Sequence, residues 1–259
     1  MDWVYTLSWP RLALLVLSLA AAISVFCLVV VRKFGSLFHF HDATDFGEIF
    51  YDAIGVVFAL LLAFMAIAGW QDYNATSDTV DKEAGAILNI YRNVESFRSE
   101  VRDPIRNAIV AYVNSIIHEE WPGLVKAQQN PHTHQLLNDL SHLITSLKPA
   151  NINEQIMMAE LASNLTEYRS CRHDRLIASE PNLSPSMWFA LYADTAIIIL
   201  FACLFPVPSF RIHLVMILAL ALSLGLVFFL LIAYNLSFGA AAGIDSGPFQ
   251  ALLQLWQMP

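Results

Sequence analysis

Four long stretches of apolar residues stand two before and two after a charged middle segment of more than a hundred residues. The candidate spans cover about 12–31, 50–70, 187–205 and 213–235. At 1.5 Å per residue, each can cross a hydrocarbon layer of about 30 Å as a helix. Lipid admits polypeptide backbone only as helices or closed barrels. The pattern predicts an all-α integral membrane protein with four transmembrane helices and a helical domain inserted between spans two and three.

The middle segment has the periodicity of amphipathic helices, and no strand-like alternation of useful length. Its apolar seam, with spacings of three and four, predicts a long helix that continues from the second span. The seam runs through Val80, Ala84, Ile87, Tyr91, Val94, Val101, Ile105, Ala108 and Tyr112. Asp103–Pro104 predicts a kink or helix restart, because proline suits a first helical position behind an aspartate cap. The seam has too little partner surface in one chain, which favours a homo-oligomer.

These elements divide the chain into three parts. Residues 1–70 form a transmembrane hairpin, 71–186 a helical domain, and 187–259 a second hairpin with a C-terminal tail. The first span has some features of a signal peptide, but its apolar core is longer than usual and is followed by Arg32 and Lys33. We therefore expect a retained helix.

Composition and charge narrow the partners and the location. The chain is 57% hydrophobic and 14% charged, with a mean hydropathy of +0.54 and a formal charge of −8. No basic cluster marks a nucleic-acid surface, so we expect membrane lipids and inorganic ions as partners and no nucleic acid. Three cysteines, two of them inside spans, indicate no disulfide framework and fit a reducing compartment around the middle domain.

The orientation follows from positive charges near the span ends. Five basic residues lie near the membrane on the domain side and three lie opposite, which favours a cytoplasmic middle domain and cytoplasmic termini. We expect the protein in the bacterial inner membrane.

Motifs of enzymes, metals and cofactors are missing from the sequence. His118–Glu119–Glu120 lacks the second histidine of a zinc-protease helix. The pairs His39/His41 and His132/His134 are two residues apart, so on a helix they point to different faces. With no phosphate loop, nucleophile elbow or Cys-x-x-Cys pair, we expect no enzyme, no metal site and no cofactor.

Two acidic residues lie at or near membrane depth. A carboxylate facing lipid costs several kcal/mol, so Asp194, seven residues into its predicted span, should face protein or water. Alternatively, this span starts later and leaves Asp194 at the interface. Asp52, at the edge of the second span, fits the interface better. Both are candidate ion-pathway or selectivity residues.

The second span has two contrasting stripes on opposite sides. One is small or polar and comprises Asp52, Gly55, Ala59, Ala63, Ala66 and Trp70. The other is bulky and comprises Phe46, Phe50, Val57 and Phe64. The small stripe suits close helix packing, which is the favoured interpretation. The competing one is a pore helix, whose apolar lining can gate by excluding water. For that case Phe50, Val57 and Phe64 are the candidate lining.

The chain resembles the bestrophin-like domain family of bacterial and plant membrane proteins. The similarity lies at Trp70–Tyr73, Asp81–Ala84, Ile90–Arg92, Tyr112 with Glu120–Pro122, and Gly247–Phe249. It implies, by analogy with bestrophins, homo-oligomeric and mainly anion-conducting channels, with the pore lined by the second span and narrowed there by aromatic residues. A pentamer is the analogy-based expectation. The acidic composition departs from an anion pathway, and no counterpart of the bestrophin calcium-binding acidic run is present.

The expected function is therefore a passive ion channel, with selectivity between anions and cations left open. The alternative is a non-conducting membrane scaffold or sensor that acts through its helical domain. Glu83 and Arg92 are nine residues apart, so they do not pair on one helix, and structural ion pairs across helices are favoured for both. Arg172 and Arg175 can hold an anion or lipid headgroups, although solvated or domain-pairing roles are favoured.

Overall fold

The computed structural model describes residues 7–34, 44–181, 183–235, 237–239, 241 and 243–257. His39, His41 and the side chain of Phe46 lie outside this part. All regular elements within it are helical. They are α1 (Trp9–Phe34), α2 (Thr44–Asn93), α3 (Ser99–Ser115), α4 (Trp121–Leu124), α5 (Pro131–Thr145), α6 (Ile152–Ile177), α7 (Pro185–Leu204), α8 (Phe210–Tyr234) and α9 (Gly247–Gln257). A 3₁₀ turn at Val94–Ser96 follows α2, and a π-helical turn at Ile116–Glu120 joins α3 to α4.

The predicted all-α membrane architecture is confirmed. Among the described residues, four helices are long and apolar enough to cross a membrane: α1, α2, α7 and α8. The second span continues without a break into the first helix of the middle segment. This single helix, α2, has 50 residues and a length of about 75 Å.

The chain divides into two compact units, and α2 contributes to both. Among the described residues, the membrane unit comprises 7–34, 44–72, 181 and 183–235. The helical unit comprises 73–180, 237–239, 241 and 243–257.

Within the membrane unit, α1 packs along α8 at small residues. A Cβ atom added to Gly225 of α8 would lie 3.0 Å from Leu17 Cδ2 and 3.3 Å from Ala20 Cβ of α1. The absence of a side chain at Gly225 therefore allows the two helices to approach closely, as is usual in membranes. The end of α1 is tied to the α7–α8 turn, because the Arg32 guanidinium donates to the Val207 carbonyl.

The helical unit buries the apolar seam within one chain. Val80, Ala84 and Ile87 of α2, and Val94 of the 3₁₀ turn that follows it, are at most 5% exposed. They pack in one core with residues of α3, α5, α6 and α9. The expectation that this seam needs a neighbouring subunit is therefore wrong. The later helices and the C-terminal segment supply the partner surface.

The break between α2 and α3 lies before the position that the sequence suggested. Phe97 and Arg98 have extended backbone angles, and α3 begins at Ser99, so Pro104 lies inside the helix. The buried side chain of Phe97 anchors the chain reversal in the core. The packing of Phe97 in the core therefore determines where α3 begins, and the preference of Pro104 for a first helical position does not.

Candidate functional site: the uncovered face of α2 and a buried polar cluster

One face of the membrane part of α2 packs within its own chain. Phe58, Leu62 and Met65 are buried there. They share a core with Leu183, with Leu191 and Ile198 of α7, and with Leu224 and Leu231 of α8. Gly69 continues this face, where an added Cβ would lie 3.5 Å from Tyr234 Cβ. This contact face lies between the two stripes noted in the sequence and belongs to neither.

Most of the described side chains in both predicted stripes are left uncovered within the chain. Phe50, Val57 and Phe64 are 63–65% exposed. Ala59 and Ala63 are exposed as well, and an added Cβ at Gly55 would meet nothing within 4 Å. Ala66 of the small stripe packs against the same core as Phe58. The exposed residues of this stripe do not pack within the chain and remain available for contact with another subunit. At 100° per residue, a third exposed row lies between the two stripes. It consists of Val56, Leu60 and Ile67.

The two acidic candidates lie at different depths in the membrane unit. Asp52 is exposed in the N-terminal half of α2. Asp194 is half-buried and is the tenth residue of α7, which has 20 residues. Because α7 begins at Pro185, with the Ser184 side chain accepting from the Met187 N–H, this helix starts earlier than predicted. Asp194 therefore sits near the middle of an apolar helix.

A buried cluster of ionised side chains lies inside the helical unit. Arg175 Nε lies 2.5 Å from Glu83 Oε2, and Arg175 Nη2 lies 2.7 Å from Glu120 Oε1. The second oxygen of Glu120 accepts a hydrogen bond from Arg172. The side chains of Glu83, Glu120 and Arg175 are fully buried, and that of Arg172 is nearly so. Two guanidinium groups thus balance two carboxylates, which burial of charge requires.

Two tyrosines and a tryptophan complete the cluster. Tyr168 donates to Glu83 Oε1 at 3.0 Å, and the hydroxyl oxygens of Tyr168 and Tyr112 are 2.6 Å apart. Since a hydroxyl has one proton, the Tyr112 hydroxyl supplies the proton in the second bond. The Arg175 guanidinium lies 5.2 Å from the centre of the Trp121 ring, in a cation–π arrangement.

Local structure explains how these residues meet. Glu83 lies on the apolar seam of α2, between Val80 and Ile87, so it must point into the core. Glu120 ends the π-helical turn, in which the Trp121 N–H bonds to the Ile116 carbonyl five residues earlier. Such turns are often found at functional sites. On α6, three positions share one face because they are spaced at i, i+4 and i+7: Tyr168, Arg172 and Arg175.

Burial and charge change the proton affinity of this cluster. Burial raises the pKa of both Tyr112 and Tyr168 above the ordinary value of 10.0, so both hydroxyls keep their protons. Burial alone would lower the pKa of Arg175, but the charge of Glu83 and the hydrogen bond to it raise the pKa of Arg175 overall. The cluster therefore keeps its guanidinium groups charged and its tyrosines neutral.

The raised tyrosine pKa values predict loss of stability at alkaline pH. Below pH 10 both states keep these protons, whereas above it the unfolded chain releases them and the folded chain does not. Stability should therefore fall as the pH rises from about 10 towards the folded-state pKa values. The thermal midpoint measured between pH 8 and 11.5 should fall less steeply in a Tyr112→Phe/Tyr168→Phe variant. Equal slopes in both proteins would contradict the assignment.

The remaining predicted residues lie outside the cluster. Arg92 is exposed in the last turn of α2, next to a cavity that Tyr91, Glu95, Arg106 and Trp256 also line. In the described part of the chain, it does not contact Glu83. His132 Nδ1 lies 2.8 Å from Glu119 Oε2, and this hydrogen bond lowers the pKa of the exposed Glu119 carboxyl.

The geometry can be compared with known proteins. A profile of the bestrophin-like domain family matches residues 17–249, which covers most of α1, all of α2, α7 and α8, and the buried cluster. The chain belongs to the bestrophin-like domain family. No enzymatic activity is known for this family. Comparison with curated proteins found no match, and comparison with solved structures found none either.

Several residues of this bestrophin-like cluster were not singled out as site residues from the sequence. Tyr112 and Glu120 entered only through the family resemblance and the apolar seam, Tyr168 was not predicted as a site residue, and Glu83 was not paired with Arg175. The sequence does contain a signal for this buried cluster, because Glu83, Arg172 and Arg175 occupy apolar helix faces. A charged residue on such a face indicates a buried partner of opposite charge.

Proposed function

We propose that this bestrophin-like protein is a homo-oligomeric passive ion channel whose pathway follows the membrane part of α2. The supporting observation is that, within one chain, other helices cover α2 only on the side that carries Phe58, Leu62 and Met65. Roughly half of its circumference is left for neighbouring subunits, water or lipid. Five copies around one axis are the arrangement that the analogy with bestrophins suggests.

Asp52 lies at the edge of the span, on the same side of α2 as Ala59 and Ala63. Its carboxylate favours water or protein over lipid on this side, because facing hydrocarbon would cost several kcal/mol. Water or a neighbouring subunit on this side removes that cost. Small residues allow a neighbouring helix to approach closely, whereas aromatic rings do so poorly. This division of roles assigns the small stripe to contact between subunits.

The ion pathway would then be lined by the bulky stripe of α2, at Phe50, Val57 and Phe64. These side chains form an apolar constriction, which excludes water until a motion widens it. Such a gate can pass ions passively when wet and block them when dry. Asp194 is a second carboxylate at membrane depth, available to the pathway or to a subunit contact.

For the orientation, we propose a cytoplasmic helical domain in a bacterial inner membrane. Arg32 and Lys33 end α1 on the opposite side. The majority of near-membrane basic residues lies on the domain side, which the positive-inside tendency places in the cytoplasm.

Current measurement is the direct test of conduction. Purified protein in planar bilayers should give reproducible unitary currents under some condition of pH, calcium or voltage. Reproducible silence across these conditions would favour the rival function, a membrane scaffold or sensor acting through its helical domain. Mass determination in nanodiscs tests the assembly separately, and monomers alone would remove the oligomeric channel.

Cysteine accessibility identifies the pathway face of α2. We predict that a cysteine at Val57, in a background lacking Cys27, Cys171 and Cys203, reacts with a water-soluble thiol reagent and that the current is blocked. A cysteine at Ala59 should not give block. Block at Ala59 alone would assign the pathway to the small stripe and would favour cation selectivity, because Asp52 lies on that stripe. Block at Leu60 alone would assign the pathway to the third row, between the two stripes.

A further inference from the structure

The helical unit contains a cavity where the end of α2, the helix α3 and the C-terminal helix α9 meet. It has two adjoining parts, of about 280 and 580 Å³, and Tyr91, Arg106 and Trp256 line both. Sites for small molecules in proteins have volumes of about 300–1,000 Å³. The cavity shares no lining residue with the buried cluster or with the membrane part of α2, so neither of them accounts for it.

One wall of this cavity is held in place by stacked side chains. The rings of Tyr91 and Trp256 stack with their centres 4.3 Å apart and their planes at 17°. The Arg106 guanidinium lies 4.5 Å from the centre of the Tyr91 ring and also forms an ion pair with Glu95. Because Trp256 occupies one face of Tyr91, Arg106 lies over the other face. The guanidinium group is therefore positioned before a ligand binds.

The walls of the cavity and their partners carry an excess of positive charge. Arg102 bonds to both Glu95 and Asp103, and Arg106 bonds to Glu95. Arg92 lines the larger part of the cavity, and within the described part of the chain it has no acidic partner. Three guanidinium groups thus stand against two carboxylates, which leaves one positive charge for a ligand to balance.

The same walls have more hydrogen-bond donors than free acceptors. Among the described residues, Arg106 Nε and Trp256 Nε1 are buried without an acceptor, whereas Glu95 and Asp103 already accept from arginines. Trp256 lies in the last turn of α9, and since helix ends shift easily, a bound acceptor can reach its N–H after a small rotation. An indole N–H and a guanidinium group donate and cannot accept, so the cavity favours a ligand rich in acceptors.

We propose that this cavity binds a small organic monocarboxylate with an apolar body. The single negative charge matches the single excess positive charge, and the two oxygens of a carboxylate suit the fork of an arginine. The rest of the wall is apolar and would hold the body of the ligand, at Leu88, Val110, Leu253 and Leu255. Inorganic phosphate would leave this apolar surface in contact with water.

The experiment uses the full-length protein in nanodiscs, with para-trifluoromethylphenylacetate as the probe, observed by fluorine NMR. Empty nanodiscs of the same lipid give the background from partition into the bilayer. The probe signal should broaden in a saturable way, with a dissociation constant on the order of 1 mM for a ligand of this size. The neutral para-trifluoromethylphenylacetamide should show only the background.

Two variants test the assigned contacts. Trp256→Phe keeps a ring against Tyr91 but removes the N–H, and it should weaken probe binding about tenfold, as loss of one hydrogen bond to a charged group does. Arg92→Gln should weaken binding about threefold, because this arginine is exposed and its attraction is screened. Arg169→Gln removes an exposed arginine that does not line the cavity and should leave binding unchanged.

The proposal is overturned if the probe shows no saturable binding, or if the amide binds as tightly as the carboxylate. Binding that is unaffected by both Trp256→Phe and Arg92→Gln would also overturn it. The Arg92 variant removes an exposed side chain without an acidic partner in the described chain, so folding does not obscure its result. Displacement of the probe by an equal concentration of inorganic phosphate would assign the cavity to an inorganic anion instead. Because the readout is ligand binding, its failure would leave the proposed channel function unaffected.

Discussion

Replacing Arg175 by methionine is expected to destabilise the protein by about 3–5 kcal/mol. The change leaves Glu83 with only the Tyr168 hydroxyl and Glu120 with only Arg172, in a site without solvent. An uncompensated buried carboxylate is far less stable than the same group in water. The thermal midpoint of the full-length protein should fall by roughly 6–20 °C, since 1 kcal/mol corresponds to about 2–4 °C at this size.

The matched control for this variant is Arg169→Met, because Arg169 is exposed on the same helix. Its effect should stay within about 0.5 kcal/mol. Adding Glu83→Gln to Arg175→Met should recover part of the loss, since it removes one of the unpaired charges. If Arg175→Met were no more harmful than Arg169→Met, the cluster would have no role in stability.

Replacing Val57 by asparagine is expected to raise the bilayer current by on the order of tenfold. In the proposed apolar constriction, an amide would hydrogen-bond water and so stabilise the wet, conducting state. A shift of about 1.4 kcal/mol towards that state corresponds to a tenfold change in equilibrium. Open probability in planar bilayers, compared at equal voltage and protein amount, measures the effect.

Ala59→Asn provides the matched control, since the same side chain is placed 200° away on α2. Its open probability should stay close to that of the unaltered protein. A higher open probability for Ala59→Asn, with no change for Val57→Asn, would show that the small stripe faces the pathway. The bulky stripe would then pack against protein or lipid.

The number and type of elements could be predicted from the sequence because each depends on local pattern. Long uncharged stretches require membrane helices, and seam spacing of three and four requires a helix with one buried face. The continuous α2 follows from the absence of any breaker between Trp70 and Val80. Boundaries set by packing, such as the chain reversal at Phe97, could not be predicted from local chemistry. The helix restarts at Ser99 and not at Pro104.

The same division holds for the candidate site. The sequence shows that Phe50, Val57 and Phe64 share one edge of a helix, but whether that edge is covered depends on where α7 and α8 pack. It also places Glu83, Arg172 and Arg175 on apolar helix faces, which is enough to expect buried partners. The choice of partner needs the tertiary fold, because Glu83 and Arg175 are 92 residues apart in the chain.

By itself, then, the sequence determined the helical membrane architecture and the residue types that each helix face presents, because hydropathy and helical periodicity act over a few residues. Only the tertiary structure decided that α9 completes the core, with Phe249 buried and Trp256 stacked on Tyr91. It also decided that Glu120 is shared by two arginines. Contacts between distant segments depend on how the helices pack together, and no local pattern in the chain encodes that packing.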